Sequence, residues 1–226
     1  LEGVPVRVTN HSWGGSGYSQ ILRDALEMAG NNGIIHMAAA GNKGLLDNDV
    51  APHYPASYTL DSIVAVANTT QTDGLNGLSH YGATSVDLGA PGVSIYSTSW
   101  SGGYAYKSGT SMSTPHVSGL AALMLDYLPD LTLQDVREAI LNGVDPVPSL
   151  SGKCVTQGRL NAFGAFSALT PHIEHEPLDN TTNVEADHIV EAYIRPSLPV
   201  LDPHQVVVLS HTTGHPGNLA THVLEH

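Results

Sequence analysis

The chain has 226 residues, 41% of them hydrophobic, and carries 8 lysines and arginines against 21 aspartates and glutamates, a formal net charge of −13. That is enough apolar material for one large domain, or one domain and a piece of another, and it argues against bulk disorder. No run of lysine or arginine occurs, which argues against a nucleic-acid partner, because that affinity rests on neutralising phosphates.

In chain order, Val4 to Thr9 alternates and is β-branched, which predicts a strand. Ser19 to Asn32 has Leu22, Ala25, Leu26 and Ala29 on one helical face, with Ser19 as N-cap and Asn31 to Gly33 as stop. Ile34 to Ala40 and Ile63 to Ala67 read as buried strands. Strand, helix, strand in that order predicts a βαβ unit with a parallel sheet and a right-handed crossover. Val86 to Leu88, Ser94 to Ser99 and Tyr104 to Ser108 are short β-like pieces. Pro115 to Leu128 is helical and apolar nearly all round, which predicts a centrally buried helix, and Pro115 suits a first turn. Its apolar run is about half of what a membrane span needs. Thr132 to Asn142 reads as a second helix, capped by Thr132 with Asp135 three residues on and ended by Gly143. Ala162 to Leu169 reads as a short helix. The single cysteine, Cys154, forbids an intrachain disulfide and reads as a lone structural or surface thiol.

After Leu169 the composition changes. Residues 171–226 hold eight of the thirteen histidines and one basic residue, Arg195. A domain boundary is expected near residue 170, giving domains at 1–170 and 171–226. The second has a linker, "PHIEHEPLDNTTN", and strand-like runs at "HIVEAYI" and "HQVVVLSH". It is expected to be the incomplete start of an all-β, sandwich-like accessory domain. His172 and His175 have a metal-pair spacing, but no third ligand accompanies them and a solvated linker is the expectation.

The stretch "SGTSMSTPHVSG", Ser108 to Gly119, sets Ser111 just before the apolar helix. Taken alone this is a helix cap. A serine at the N-terminus of a buried helix also stands beside unpaired N–H groups and the positive end of the helix dipole, which favours an oxyanion there. "HMAAAGN" is an apolar strand ending in Asn42, at the edge where parallel sheets bind ligands. An asparagine amide there can donate to a developing oxyanion.

These motifs resemble those of the subtilisin-like serine peptidases, or subtilases, over roughly residues 4–169. "GTSMSTPHV" is similar to the family's serine motif, "AAGN" to its oxyanion asparagine and "NHSWGG" to its substrate-pairing strand. "HYPASY", "IVAVA", "LSHYG" and "VDLGAPG" follow in the family's order. The resemblance implies an α/β fold with a parallel sheet, here the C-terminal part of the catalytic domain. The accessory segment has a weaker likeness to immunoglobulin-like add-on domains. The resemblance implies Ser111 as nucleophile and Asn42 as oxyanion donor alongside the Ser111 N–H. It implies Ser12, Trp13, Gly14 and Gly15 on one side of a substrate cleft and Ala39, Ala40 and Gly41 on the other. His53 would stand at the floor of the specificity pocket, where it would narrow or polarise the pocket and make preference depend on pH.

The family's triad runs Asp, His, Ser. Its "DTG/DSG" and "HGTHVAG" motifs do not occur in this chain. His116, inside the serine motif, is expected to pack rather than to act as base. "SHTTGHPG", His211 to Gly217, is only loosely like the histidine motif and falls in the wrong order. The expectation is therefore a chain cut at both ends, lacking the N-terminal half of the catalytic domain and its propeptide, and not competent as a peptidase by itself. The resemblance also implies polypeptide substrates, secretion and a structural calcium site on the Ala56 and Tyr58 carbonyls and the Asp87 carboxylate. No membrane partner is expected. The second reading is a non-catalytic subtilase homologue that binds peptides. An esterase is a third, against which the absence of a "GxSxG" elbow counts.

Overall fold

A computed structural model of the chain describes residues 6–99 and 102–169, and beyond them the strands at 173–175, 189–194, 206–210 and 220–224. The chain divides into two compact units, residues 1–168 and 169–226.

In the first unit β1 (Val8–His11), β2 (Ile35–Ala39), β3 (Ile63–Thr69) and β4 (Leu88–Pro91) lie parallel and adjacent in chain order. Val8 stands opposite Ile35, His36 opposite Ile63 and Val66 opposite Leu88. β2 and β3 are buried along their whole length, which is why both read as continuous apolar runs without alternation. Residues 1–5 lie outside the described ones, and β1 runs through His11, past the expected end at Thr9. β4 starts at the end of the expected Val86 to Leu88 piece. Val86 turns its side chain into a cluster with Ala40, Ala67, Leu150 and Cys154, and Asp87 commits a carboxylate oxygen to the Ala65 N–H.

Helix α1 (Gln20–Asn31) crosses from β1 to β2. Ser19 Oγ accepts from the Leu22 N–H at 3.3 Å, as its N-cap position requires. Gly33 takes φ +81°, which only glycine adopts without strain. Leu26 and Leu22 carry the apolar face of α1 onto Ala38, Ala56, Tyr58, Ile63 and Ala65.

Helix α2 (Thr110–Tyr127) begins before the expected Pro115. Proline lacks the N–H that would bond the Ser111 carbonyl, a loss that ordinarily marks a helix start. Here that carbonyl accepts instead from Ser12 Oγ at 2.8 Å, so the helix tolerates an interior proline. The expectation of all-round burial is also corrected. Val117, Leu120, Ala121 and Met124 face the sheet, while Leu123 is 62% exposed on the far side. Between β4 and α2 stands an antiparallel hairpin, β5 (Ile95–Thr98) and β6 (Tyr104–Lys107).

Helix α3 (Leu133–Asn142) has the expected capping box, with Thr132 and Asp135 each bonding the other's backbone N–H. Helix α4 (Ala162–Ser167) is capped by Asn161. Two short strands that no sequence pattern announces, β7 (Asp145–Pro146) and β8 (Gly158–Arg159), extend the sheet to the order β1-β2-β3-β4-β8-β7.

The second unit holds a four-stranded antiparallel sheet in the order β12-β11-β10-β9, from β9 (Ile173–His175), β10 (Ile189–Ile194), β11 (Val206–Ser210) and β12 (Ala220–Leu224). β10 and β11 fall on the two strand-like runs, and β9 lies inside the expected linker. His172 and the 211–217 stretch lie outside the described residues.

Candidate active site

Three chain segments converge where β1 and β2 end and α2 begins. Parallel strands present their carboxyl ends together, which is where such sheets hold ligands. Asn42 follows β2, and its Oδ1 accepts from the Thr110 N–H at 2.8 Å. The Gly41 N–H donates to Thr110 Oγ1 at 3.3 Å, tying the same two segments a second time. Gly109, the N-cap of α2, lies against Asn42. A β-carbon on Gly109 would stand 3.3 Å from Asn42 Oδ1, and its φ of +147° disfavours any side chain.

The first turn of α2 leaves one donor over. The Thr110 N–H is taken by Asn42, and the Met112 and Ser113 N–H groups both return to the Gly109 carbonyl. The Ser111 N–H remains, at the positive end of a helix of 18 residues. With Asn42 Oδ1 fixed on Thr110, the Asn42 amide nitrogen stays beside Gly109 and makes no hydrogen bond among the described residues, and the residue is exposed.

Ser111 and Ser12 form a reciprocal clasp. Ser111 Oγ donates to the Ser12 carbonyl at 3.1 Å, and Ser12 Oγ donates to the Ser111 carbonyl at 2.8 Å. Asn10 extends it: its Nδ2 donates to Ser12 Oγ at 2.8 Å, and its Oδ1 accepts from Ser118 Oγ at 2.9 Å. This Asn10–Ser118 link, a polar tie from β1 to the third turn of α2, escaped sequence reasoning because the two residues are far apart in the chain.

The remaining cleft residues divide into surface and support. Trp13 is 51% exposed and meets the His11 ring edge-on at 5.6 Å. Gly14 is exposed, and Gly15 pairs with Tyr54 through two backbone bonds of 2.9 and 2.7 Å. Ala39 and Ala40 are buried. The Ala40 N–H goes to Val66, and its carbonyl accepts from Asn48 Nδ2 at 2.9 Å. Ala40 therefore holds the wall together from behind and has no backbone group left over for a ligand. His53 is buried beneath Gly14, where its ring leaves no room for a β-carbon on that glycine.

His116 is exposed rather than packed, and its Nδ1 donates to the Met112 carbonyl at 2.9 Å. His11 and His36 share Thr9 Oγ1, at 2.9 and 2.6 Å, on the helix side of the sheet. Burial depresses both imidazoles, and for His11 the neighbouring His36 depresses it further. Among the described residues, no histidine or carboxylate bonds Ser111 Oγ.

Asp87, Ala56 and Tyr58 do not fit a calcium ion. Asp87 Oδ2 accepts from the Ala65 N–H at 2.7 Å, and Oδ1 accepts from Arg137 Nη2 at 2.9 Å. The guanidinium occupies the place a cation would need, and the Tyr58 carbonyl already accepts from the Leu60 N–H. Burial pushes the Asp87 carboxyl up, and the Ala65 N–H and Arg137 oppose that. No group of three or more His, Cys, Asp or Glu among the described residues is arranged to hold a metal. Cys154 is buried, which raises its thiol and fits a packing role, not a surface one. No described helix is long and apolar enough to cross a membrane.

Residues 2–165 match the subtilase family. The chain is 41% identical over 159 residues to thermitase of Thermoactinomyces vulgaris, covering 70% of this chain and 53% of that protein. It is 41% identical over 133 residues to subtilisin DY of Bacillus licheniformis, covering 59% and 47%. Among solved structures, the prenylagaramide maturation protease PagA superimposes with a TM-score of 0.64 at 28% identity, over 73% of this chain and 62% of that one. A protease from Pseudoalteromonas arctica gives 0.63 at 30% identity, over 75% and 55%. The chain thus spans about half the length of the curated relatives it matches.

Proposed function

The chain belongs to the subtilase family, and from that premise we propose that it is the serine-bearing part of an endopeptidase that cleaves polypeptides through an acyl-enzyme on Ser111. The observation that carries this reading is the pairing of two spare donors beside one hydroxyl. The Ser111 N–H is left over by the first turn of α2, and the Asn42 amide nitrogen is left without a hydrogen bond among the described residues while its oxygen is held by Thr110.

In this reading Ser111 Oγ attacks the scissile carbonyl carbon and its proton passes to a base. The carbonyl oxygen becomes an oxyanion held by Asn42 Nδ2 and the Ser111 N–H. Collapse expels the amine, which takes up the proton, and water then releases the acyl group. Gly14, exposed and without a side chain, lets a substrate strand lie against the backbone, while Gly15 is held to Tyr54. The hydroxyl now donates to the Ser12 carbonyl, which cannot accept a proton for keeps. The base must therefore come from outside the described residues, and the family's Asp and His motifs are the source this reading assigns, in a longer protein that is secreted and carries a propeptide.

A fluorophosphonate probe tests this. We expect the longer protein to be labelled at Ser111, Ser111→Ala to lose all labelling, and the 226-residue chain alone to react far more slowly. A longer protein that binds peptides yet never labels would replace this reading with that of a peptide-binding homologue.

A further inference from the structure

Behind the two walls of the cleft lie two histidines that meet each other. His53 and His80 touch edge to face, with ring centroids 5.1 Å apart and an angle of 73° between planes. Each presses against a glycine of the cleft. A β-carbon on Gly14 would stand 2.6 Å from His53 Nε2, and one on Gly41 would stand 2.5 Å from His80 Nδ1. Both positions are glycine because an imidazole fills the space behind them. The pair thus forms a common floor under Gly14 on one side and Gly41 on the other.

His80 is 2% exposed and is held rigidly. Its Nδ1 lies 2.9 Å from Asn48 Oδ1, and Asn48 Nδ2 donates to the Ala40 carbonyl. The Asn48 oxygen can only accept, so Nδ1 carries the proton and Nε2 is the bare nitrogen of the neutral ring. That Nε2 is buried and has no hydrogen-bond partner. A buried polar atom left unpaired is costly, and it calls for a ligand. No ring nitrogen of His53 makes a hydrogen bond among the described residues; its backbone N–H is held by Ser57 Oγ.

The charges around the pair are of one sign. Burial depresses both rings most; Lys43 depresses His53 further, and His53 and then Lys43 depress His80, against which the Ala40 carbonyl acts. The nearby carboxylates are committed elsewhere. Asp49 accepts from Thr84, and Asp47 accepts from the Asp49 N–H. Lys153 is drawn off over the Tyr81 ring at 3.7 Å. Two imidazoles therefore meet, and no carboxylate is hydrogen-bonded to either ring among the described residues.

We propose that His53 and His80 are specificity-determining residues that receive a carboxylate, so that the preferred substrates are peptides with Glu or Asp immediately before the scissile bond. This rests on the reading of the cleft given above. A carboxylate entering beside the rings accepts from a protonated His80 Nε2 and His53, and binding takes up a proton. The proton comes from solvent, and the ligand stays ionised. Recognition then strengthens as pH falls from 7.5 to 5.5, while peptides with Leu or Lys at that position gain nothing.

The test is calorimetric binding to the 226-residue chain of amidated tetrapeptides that differ only in a last residue of Glu, Gln, Leu or Lys. Titrations run at pH 5.5, 6.5 and 7.5 in two buffers of different ionisation heat. We expect the Glu peptide to bind about fivefold more tightly at pH 5.5 than at 7.5, within the tenfold limit for one proton whose affinity rises by one pH unit on binding. Proton uptake should appear as a buffer-dependent heat. His53→Gln should weaken Glu binding at pH 5.5 and lessen, without abolishing, its pH dependence, because the proton is taken up at His80 Nε2. Because His80→Gln disturbs a buried residue, the imidazole C2–H resonances of the unmodified chain provide the second measurement, and both should move on adding the Glu peptide. Equal or tighter binding of Leu, Gln or Lys, or Glu binding without proton uptake, overturns the proposal and leaves the peptidase reading standing. Binding of none of the four overturns the proposal, and the peptidase reading is then judged by probe labelling of the longer protein.

Discussion

Two polar constellations in the first unit are built from similar parts and differ in how they end. Around Asp87, both carboxylate oxygens are filled, by the Ala65 N–H and Arg137, and the Asp87 carbonyl accepts from the Thr156 hydroxyl and backbone N–H. Around Ser111 the count does not close: the Ser111 N–H and the Asn42 amide nitrogen face a surface, and the hydroxyl rests on a carbonyl. A closed network holds elements together, here α3 and the 154–157 loop against β3 and β4. An open one leaves hydrogen-bonding capacity for a ligand, and burial on only one side keeps it reachable.

The largest expected effect lies on the open side. In a form of the protein that reacts with the fluorophosphonate probe, Asn42→Ala should cut turnover about 10²–10³-fold, the range measured on subtilisin, a member of the same family. Its melting temperature should shift little, because Asn42 is exposed; a large stability loss with unchanged turnover would erase the distinction between the two networks.

The mirror experiment is Arg137→Ala. It leaves the Asp87 carboxylate buried without its partner, and we expect a loss of about 3 kcal/mol in urea unfolding. Peptide binding by the folded fraction should be unchanged. A cost below about 1 kcal/mol would mean that the pair is no tighter than a surface bridge.

A change of pH probes the histidines of the first unit without mutation. His11, His36, His53 and His80 all have folded-state values below the usual 6.5, chiefly because burial disfavours the charged ring. The unfolded chain therefore binds protons more readily. Stability is full above about 6.5 and falls as pH drops below it towards the depressed values. The urea midpoint should decline between pH 7.5 and 5.5, and a flat or rising midpoint would contradict the burial of these rings. A saturating Glu peptide should lessen that decline, through His53 and His80 alone.

The smallest effect belongs to a local motif at the start of the helix that carries Arg137. Thr132→Ala removes one arm of the α3 capping box. It should cost about 1 kcal/mol, with no effect on probe reactivity. A change in labelling rate would mean that α3 is coupled to the Ser111 corner.

Much of this was legible in the chain because it is local. The serine motif is a helix start, the Ala-Gly-Asn motif is a strand end, and capping boxes and buried strands carry their patterns within a few residues. Where one local rule met a distant partner, reading failed. Pro115 looked like a first turn because nothing nearby announces that Ser12 will take the freed Ser111 carbonyl, 99 residues away in sequence. α2 looked buried all round because composition counts apolar residues and cannot tell which side a sheet will cover. The two-residue strands β7 and β8 are too short to carry any period.

By itself, then, the sequence determined the family, the parallel α/β plan and the candidacy of Ser111 and Asn42, since each rests on residues adjacent in the chain. Only the tertiary structure decided what those residues do with their hydrogen bonds. It turned Asp87 from an expected cation ligand into the partner of Arg137, 50 residues on. It also put His80 against His53 under two glycines of the cleft. Hydrogen bonds and buried charges are settled by what lies within a few ångströms in space, and separation along the chain carries no record of that.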